Sequence, residues 1–127
     1  LANQLILDEK IVKYIPEGIE LKNSTIEGRV SIGKGSKIER SIIRGPVSIA
    51  ENVLIQNSFI GPYTSVGAFT EIYDSRIENS ILLTESKIKD VELETSLVGK
   101  RCIISSSGHN KHRIKGSLGD YIVLTVE

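Results

Sequence analysis

Large aliphatic residues recur along the chain at intervals of 6, 6 and 5. Ile26, Ile32, Ile38 and Ile43 set the pattern; Ile43, Ile49, Ile55 and Ile60 repeat it, and so do Ile60, Val66, Ile72 and Ile77. The full period is 17, and Ser24, Ser41, Ser58 and Ser75 mark it, each two residues before an isoleucine or its equivalent. A second column runs Ile32, Ile49, Val66, Leu83, and a third Ile38, Ile55, Ile72, Ile88, the last one residue early. Ile15 and Leu21 extend these columns backwards, and Leu93, Val98 and Ile104 extend them forwards with altered spacing. This is neither the 3.6-residue period of a helix nor the alternation of a lone strand. It describes a coil with three flat sides, each sending one large aliphatic inward, repeated as a solenoid.

Finer positions support the coil. Four residues after each inward aliphatic stands a second residue, often small: Val30, Ser36, Val47, Val53, Thr64, Thr70. Gly33, Ala50, Gly61, Gly67 and Gly99 directly follow an aliphatic. Gly35 and Asn52 occupy equivalent corners, where a left-handed backbone is needed. One coil cannot bury its isoleucines alone, but coils stacked at about 4.8 Å place each column on its own copy. The pattern divides the chain into 1–13, expected to be helical and to close one end; 14–104, the coils; and 105–127, a polar loop and a capping strand.

Composition sharpens the reading. The 127 residues suit one domain and include 20 isoleucines, no tryptophan and two phenylalanines. Stiff β-branched side chains stack well in a narrow interior, and bulky rings do not. Sixteen basic and 16 acidic residues give zero formal charge, which argues against broad phosphate neutralisation on nucleic acid and against a polybasic membrane surface. Apolar runs are too short for a membrane span or a signal-peptide core. Cys102 is the single cysteine, so no intramolecular disulfide forms, and a reducing, cytoplasmic compartment is expected. The sequence begins with Leu1 and contains no methionine, so a fragment or a processed chain is expected.

The segments Ile32-Gly33-Lys34-Gly35-Ser36-Lys37 and Val66-Gly67-Ala68-Phe69-Thr70-Glu71 resemble the hexapeptide repeat. That resemblance implies an all-β fold, a single-stranded left-handed parallel β-helix. The left hand comes from the resemblance alone. Ile43-Arg44-Gly45-Pro46-Val47, the stretch Asn57 to Gly67, the opening Leu1 to Asp8 and the tail from Gly119 are similar to the C-terminal domain of long-form glucose-1-phosphate thymidylyltransferases. The resemblance implies a parent enzyme that joins a nucleoside triphosphate to a sugar 1-phosphate, with magnesium in a catalytic domain outside this sequence. It implies no cofactor here, and a structural, homo-oligomeric role, with a trimer expected. The glycine-rich stretches Gly33-Lys34-Gly35 and Gly116-Ser117-Leu118-Gly119 read as coil corners, not as a phosphate cradle between strand and helix.

Other chemistry is weighed against plainer readings. His109 and His112 are the candidates for an acyl-coenzyme A-dependent transferase, a second function for hexapeptide coils; a polar surface loop is the plainer reading. The regular spacing leaves no room for an inserted loop before Leu83. A non-enzymatic scaffold is the third reading. Lys100, Arg101, Lys111 and Arg113, with Lys115 beside them, are candidates for a phosphate; solvated or paired charges are the alternative. No metal ligand set is read, because no cysteine or acid completes the histidine pair. Cys102 reads as a buried structural thiol, and Glu85, Asp90, Glu92 and Glu94 as a solvated face. Phe59, Tyr63, Phe69 and Tyr73 are candidates for an interface patch, with Phe59 pointing outward and Tyr63 and Phe69 at corners.

Overall fold

A computed structural model describes residues 3–8, 11–16, 18–106 and 112–126. Every regular element in it is a strand. The strands form a solenoid of about six turns with three faces. The first face stacks Thr25–Glu27, Ile42–Arg44, Phe59–Ile60 and Arg76–Glu78 in parallel. The second stacks Val30–Ile32, Val47–Ile49, Thr64–Val66 and Ile81–Leu82. The third stacks Glu20–Lys22, Lys37–Glu39, Leu54–Gln56, Glu71–Tyr73 and Lys87–Lys89. The long strand Val91–Val98 turns the corner between the first and second faces and pairs with both.

The 6-6-5 spacing is the three-sided coil itself. Ile43, Ile60 and Ile77 on the first face, and Ile38, Ile55, Ile72, Ile88 and Ile104 on the third, are fully buried. Each isoleucine lies in register with its equivalent one coil away, as Ile60 does with Ile43 and Ile77. Full burial of such a side chain contributes roughly 1.5–3 kcal/mol, so the columns carry the fold. Second inward positions are buried too: Val30, Ser36, Val47, Val53, Thr64 and Thr70.

The second column departs from the expected spacing at one place. Leu82, not Leu83, pairs with Val66 and is buried. The corner from Ile77 to Leu82 is one residue shorter than the corner from Ile60 to Val66. The coil therefore shortens from 17 to 16 at the corner holding Asn79, and the corner from Leu93 to Val98 is short by one residue in the same way; together they give the altered spacing of Leu93, Val98 and Ile104.

Corners need left-handed backbone, and non-glycine residues supply most of it. Asn23, Arg40, Asn57, Asp74 and Asp90 form one corner column with φ between 47° and 55°. Gly35 and Asn52, with φ of 77° and 56°, begin another, which continues through Phe69, Glu85, Arg101 and Tyr121. Corner amides bond to the preceding coil, as Asn57 N–H does to Glu39 O at 2.9 Å.

Buried serines form a ladder inside the first corner. Each Ser Oγ donates to the carbonyl two residues earlier: Ser41 to Glu39 at 2.7 Å, Ser58 to Gln56 at 2.8 Å, Ser75 to Tyr73 at 2.7 Å. Each also accepts the amide of the next serine, with Ser58 N–H on Ser41 Oγ and Ser75 N–H on Ser58 Oγ, both at 3.1 Å. Val91 N–H ends the ladder on Ser75 Oγ at 3.3 Å. Burying these hydroxyls is tolerated because each has both a donor and an acceptor to satisfy.

Two expectations change at the ends. The expected N-terminal helix is not formed: Asn3–Asp8 and Ile11–Pro16 pair as an antiparallel hairpin, and Lys13 and Tyr14 join the second face beside Val30 and Ser31. Ile11, Val12, Tyr14 and Ile15 are β-branched or aromatic residues that favour strands, and a parallel sheet edge lies next to them. At the other end the coil runs on beyond Ile104. Strand His112–Leu118 stacks on Val91–Val98, and Val123–Val126 on Ile103–Ser106, both in parallel. Ile114, Leu118, Ile122 and Leu124 pack against the core there.

Candidate functional site

The three faces share a core but differ outside. On every face an inward, an outward and a second inward residue alternate, as Ser36-Lys37-Ile38, Ser41-Ile42-Ile43 and Val47-Ser48-Ile49 do. The faces differ in the residue that follows: Glu27 and Arg44 on the first, Glu39 and Gln56 on the third, but the small Gly33, Ala50 and Gly67 on the second.

On the first face the outward residues are largely ionic. Arg44 Nε lies 3.1 Å from Glu27 Oε2, and an Arg76 guanidinium nitrogen lies 2.8 Å from Glu78 Oε1. Arg113 Nε stands 3.6 Å from Glu92 and 3.5 Å from Glu94, and Lys115 Nζ 3.8 Å from Glu94. These pairs are exposed, so each contributes at most about 1 kcal/mol. Phe59 points outward as expected and is half-buried between arginines, with Arg76 Cζ 4.2 Å and Arg44 Cζ 5.7 Å from its ring centre.

The third face alternates charges, with Lys87 Nζ 3.9 Å from Glu71 Oε2. Here Tyr73 donates its phenolic proton to Glu71 Oε1 at 2.6 Å. Burial first, then this hydrogen bond and the carboxylate's charge, push the Tyr73 phenol from 10.0 up to about 12. The folded protein holds the proton more tightly than the unfolded chain. The stabilisation from this group is therefore complete below pH 10 and is lost as pH rises through about 12. Replacing Glu71 by glutamine removes the charge but not the burial. Ultraviolet titration of the phenolate is expected to show the Tyr73 midpoint falling part of the way back; an unmoved midpoint would show that Glu71 does not govern it.

The second face is different in kind. Its outward row is Ser31, Ser48, Ser65, Ile81, Leu97 and Ser117, in register from coil to coil. No charged residue stands in that row. Ile81 and Leu97 are 49% and 42% exposed, and Tyr63, at the adjoining corner with φ 60°, is 71% exposed. A groove of about 520 Å³ runs over this face, lined by Arg29, Pro46, Tyr63, Ile81 and the serines.

The residues singled out by sequence are dispersed by the coil. Phe59 lies on the first face, Tyr63 and Phe69 at two different corners, and Tyr73 on the third face, so the four aromatics do not make one patch. Of the basic candidates, Arg101 pairs with Glu85 at 3.0 Å and lies 5.9 Å from the Tyr121 ring centre. Lys100 is exposed, with its backbone N–H on Asp120 Oδ1 at 2.8 Å. Arg113 sits on the first face, away from that corner. His109 and Lys111 lie outside the described residues, and His112 begins the strand His112–Leu118. Cys102 is fully buried, its Sγ 3.0 Å from Gly119 O, in the column that holds Ser36, Thr70 and Ser86. Among the described residues, no three histidine, cysteine, aspartate or glutamate side chains gather in a metal-binding group.

The uncharged row was not singled out from sequence, although its signal was available. The 17-residue period carries this outward column through 31, 48 and 65, and the short corners at Asn79 and Thr95 move its next members to 81 and 97, with no charge at any of the five.

Comparison with known proteins places the chain. It is 36% identical over 112 residues to a glucose-1-phosphate thymidylyltransferase from Streptomyces antibioticus, which covers 87% of the chain and 32% of the relative. A second, from Streptomyces griseus, is 31% identical over 108 residues, covering 84% of the chain and 26% of the relative. The chain is related to the C-terminal part of the glucose-1-phosphate thymidylyltransferases. A low-salt glycan biosynthesis nucleotidyltransferase from Haloferax volcanii is 48% identical over 109 residues, covering 84% of the chain and 30% of the relative. The chain thus spans about a third or less of these nucleotidyltransferases. No family model matches it. Among solved structures, a GDP-perosamine N-acetyltransferase from Caulobacter crescentus aligns with a TM-score of 0.47 and 11% identity, over 91% of this chain and 54% of that one. A likeness that low bears on neither the thymidylyltransferase relationship nor the activity.

Proposed function

We propose that these coils are the C-terminal structural domain of a sugar-1-phosphate nucleotidyltransferase, of the kind that uses glucose 1-phosphate and a thymidine nucleotide. The parent reaction forms a bond from the sugar-phosphate oxygen to the α-phosphorus of the triphosphate and releases pyrophosphate. The domain's part is to hold copies of the enzyme together. The observation that carries the reading is the unequal coverage: the relatives match 84–87% of this chain, but only 26–32% of their own length.

Magnesium is expected in the catalytic part of such an enzyme. The residues described here do not fit that ion, since no three acidic or histidine side chains come together among them, and no step through it is assigned to these coils. Pyrophosphate release from thymidine triphosphate and glucose 1-phosphate tests the reading. The purified 127-residue chain is expected to release none, and a longer gene product carrying these coils is expected to release it. Turnover by the chain alone, or none by the longer product, overturns the proposal.

A further inference from the structure

We propose that the last coil offers an open strand edge to an extended acidic segment of a partner protein, one in which acids flank an aliphatic residue. Among the described residues, His112–Leu118 pairs only with Val91–Val98, and Val123–Val126 only with Ile103–Ser106. Each of the two strands therefore has one edge with no described strand beyond it. Such an edge is a template for an added strand, with main-chain hydrogen bonds supplying the grip. The core is open at the same end. Ile114, Leu118 and Leu124 continue the inward columns, in register with Leu93, Val98 and Ile104. Those three partners are at most 1% exposed, whereas Ile114, Leu118 and Leu124 are only partly buried. Tyr121 and Val123 stand at this end too, both exposed. An added strand would cover this apolar surface, as each coil covers the one before it.

Charge decides which strand fits. Residues 99–127 hold five basic side chains, Lys100, Arg101, Lys111, Arg113 and Lys115, against Asp120 and Glu127. This end is therefore net +3, and the rest of the neutral chain is net −3. The preceding strand shows the match that such a surface takes. Glu92 and Glu94 flank Leu93 there, and Arg113 and Lys115 flank Ile114 one coil on. Arg113 Nε stands 3.6 and 3.5 Å from the two carboxylates, and Lys115 Nζ 3.8 Å from Glu94. Among the described residues, Arg113 and Lys115 pair with acids of that strand alone, and 64% and 60% of their side chains stay exposed. An incoming acid–aliphatic–acid segment in the same register sets its acids beside Arg113 and Lys115 and its aliphatic side chain over Ile114. A nucleic acid brings the negative charge but no strand to bond the edge and no aliphatic side chain for the columns.

Fluorescence anisotropy on the 127-residue chain tests this with a labelled synthetic peptide of the sequence Val91–Val98, the chain's own acid–aliphatic–acid strand. The peptide is expected to bind saturably. A peptide with lysine at both glutamates, and one with proline in place of its first leucine, are each expected to bind about tenfold more weakly or worse. The chain variant Arg113→Gln, Lys115→Gln is expected to lose about tenfold in affinity with an unchanged circular dichroism spectrum. Lys34→Gln, Lys37→Gln, far down the solenoid, is expected to bind like wild type. Equal binding by the lysine peptide overturns the charge match, and equal binding by the proline peptide overturns strand addition; either sinks the proposal. Tighter binding of a single-stranded oligodeoxynucleotide of equal length sinks it in favour of nucleic acid. No saturation by the wild-type peptide would show that Arg113 and Lys115 guard the edge against strands instead of receiving one. A peptide that lowers the chain's mass in light scattering would put a second copy on the edge, and loss of binding within a longer gene product would put a segment of that product there; both overturn the proposal. None of these outcomes touches the nucleotidyltransferase reading, which pyrophosphate release tests separately.

Discussion

Replacing Ile60 by alanine is expected to lower unfolding stability by about 3–4 kcal/mol, toward the upper part of the usual range for such a truncation. Ile60 is fully buried and stands in the middle of the first-face column, in register with Ile43 on one side and Ile77 on the other. Alanine would leave a void that both neighbours line, and the hydrogen-bonded coils on either side keep it from collapsing. A domain of this size has only about 5–15 kcal/mol in total, so the loss is a large share. Ile26 provides the comparison. It sits in the same column but is 6% exposed and pairs on one side, with Ile43. Ile26→Ala is expected to cost about half as much, nearer 2 kcal/mol. Urea unfolding measures both, read as a fall in midpoint with the slope unchanged. Equal losses at the two positions would mean that the column does not gain from being stacked on both sides.

Gly33→Ala is expected to be of similar size, for the opposite reason. It adds an atom where none fits. A Cβ at Gly33 would lie 2.5 Å from the Ala50 carbonyl carbon, 2.6 Å from Glu51 N and 2.7 Å from Ala50 O. All three are backbone atoms of the next coil, so no side chain can swing away. The coils cannot part locally either, because Gly33 N–H is bonded to Ile49 O at 2.8 Å. Overpacking of this kind costs about 1–3 kcal/mol, and more when the backbone itself must shift, so about 3 kcal/mol is expected. Ala50 holds the equivalent place one coil on. Ala50→Gly creates no clash and is expected to cost less than about 1 kcal/mol, through chain entropy. Thermal melting compares the pair directly. A Gly33→Ala protein that melts with the wild type would show that the coils are spaced more loosely than the hydrogen bonds here imply.

Much of the interior was legible in the sequence, because one rule repeats. Ile26, Ile43, Ile60 and Ile77 could be read as a column since each sits 17 residues from the next, and a single missed residue would have broken the count. The placement of Leu82 was missed for that reason. The corner at Asn79 drops one residue, and with Leu82 and Leu83 adjacent, hydrophobicity alone could not say which turned inward. The N-terminal segment has no repeat to anchor it. Its apolar residues satisfied a helix as well as a strand until the open edge of the second face was there to pair with. The exterior was harder still. Phe59, Tyr63, Phe69 and Tyr73 are close in sequence, but six residues carry the chain round most of a side, so proximity along the chain separates residues in space. The useful surface signal ran down the columns, where Ser31, Ser48, Ser65, Ile81 and Leu97 share a place and lack a charge.

The serine ladder bears on how long such a domain can be. Every rung, from Ser41 to Ser58 to Ser75, takes its hydrogen bonds only from its own coil and the coils directly beside it. Nothing in a rung depends on how many coils lie beyond. Excising the 17 residues from Ile42 to Ser58 would join Ser41 to Phe59 and leave every inward column, corner and rung in step, on a body shorter by about 4.8 Å. Inserting a copy of the same segment would lengthen it by the same step. The domain therefore works as a ruler graduated in whole coils, and the separation between whatever it holds at its two ends can be altered one mark at a time without redesigning the core.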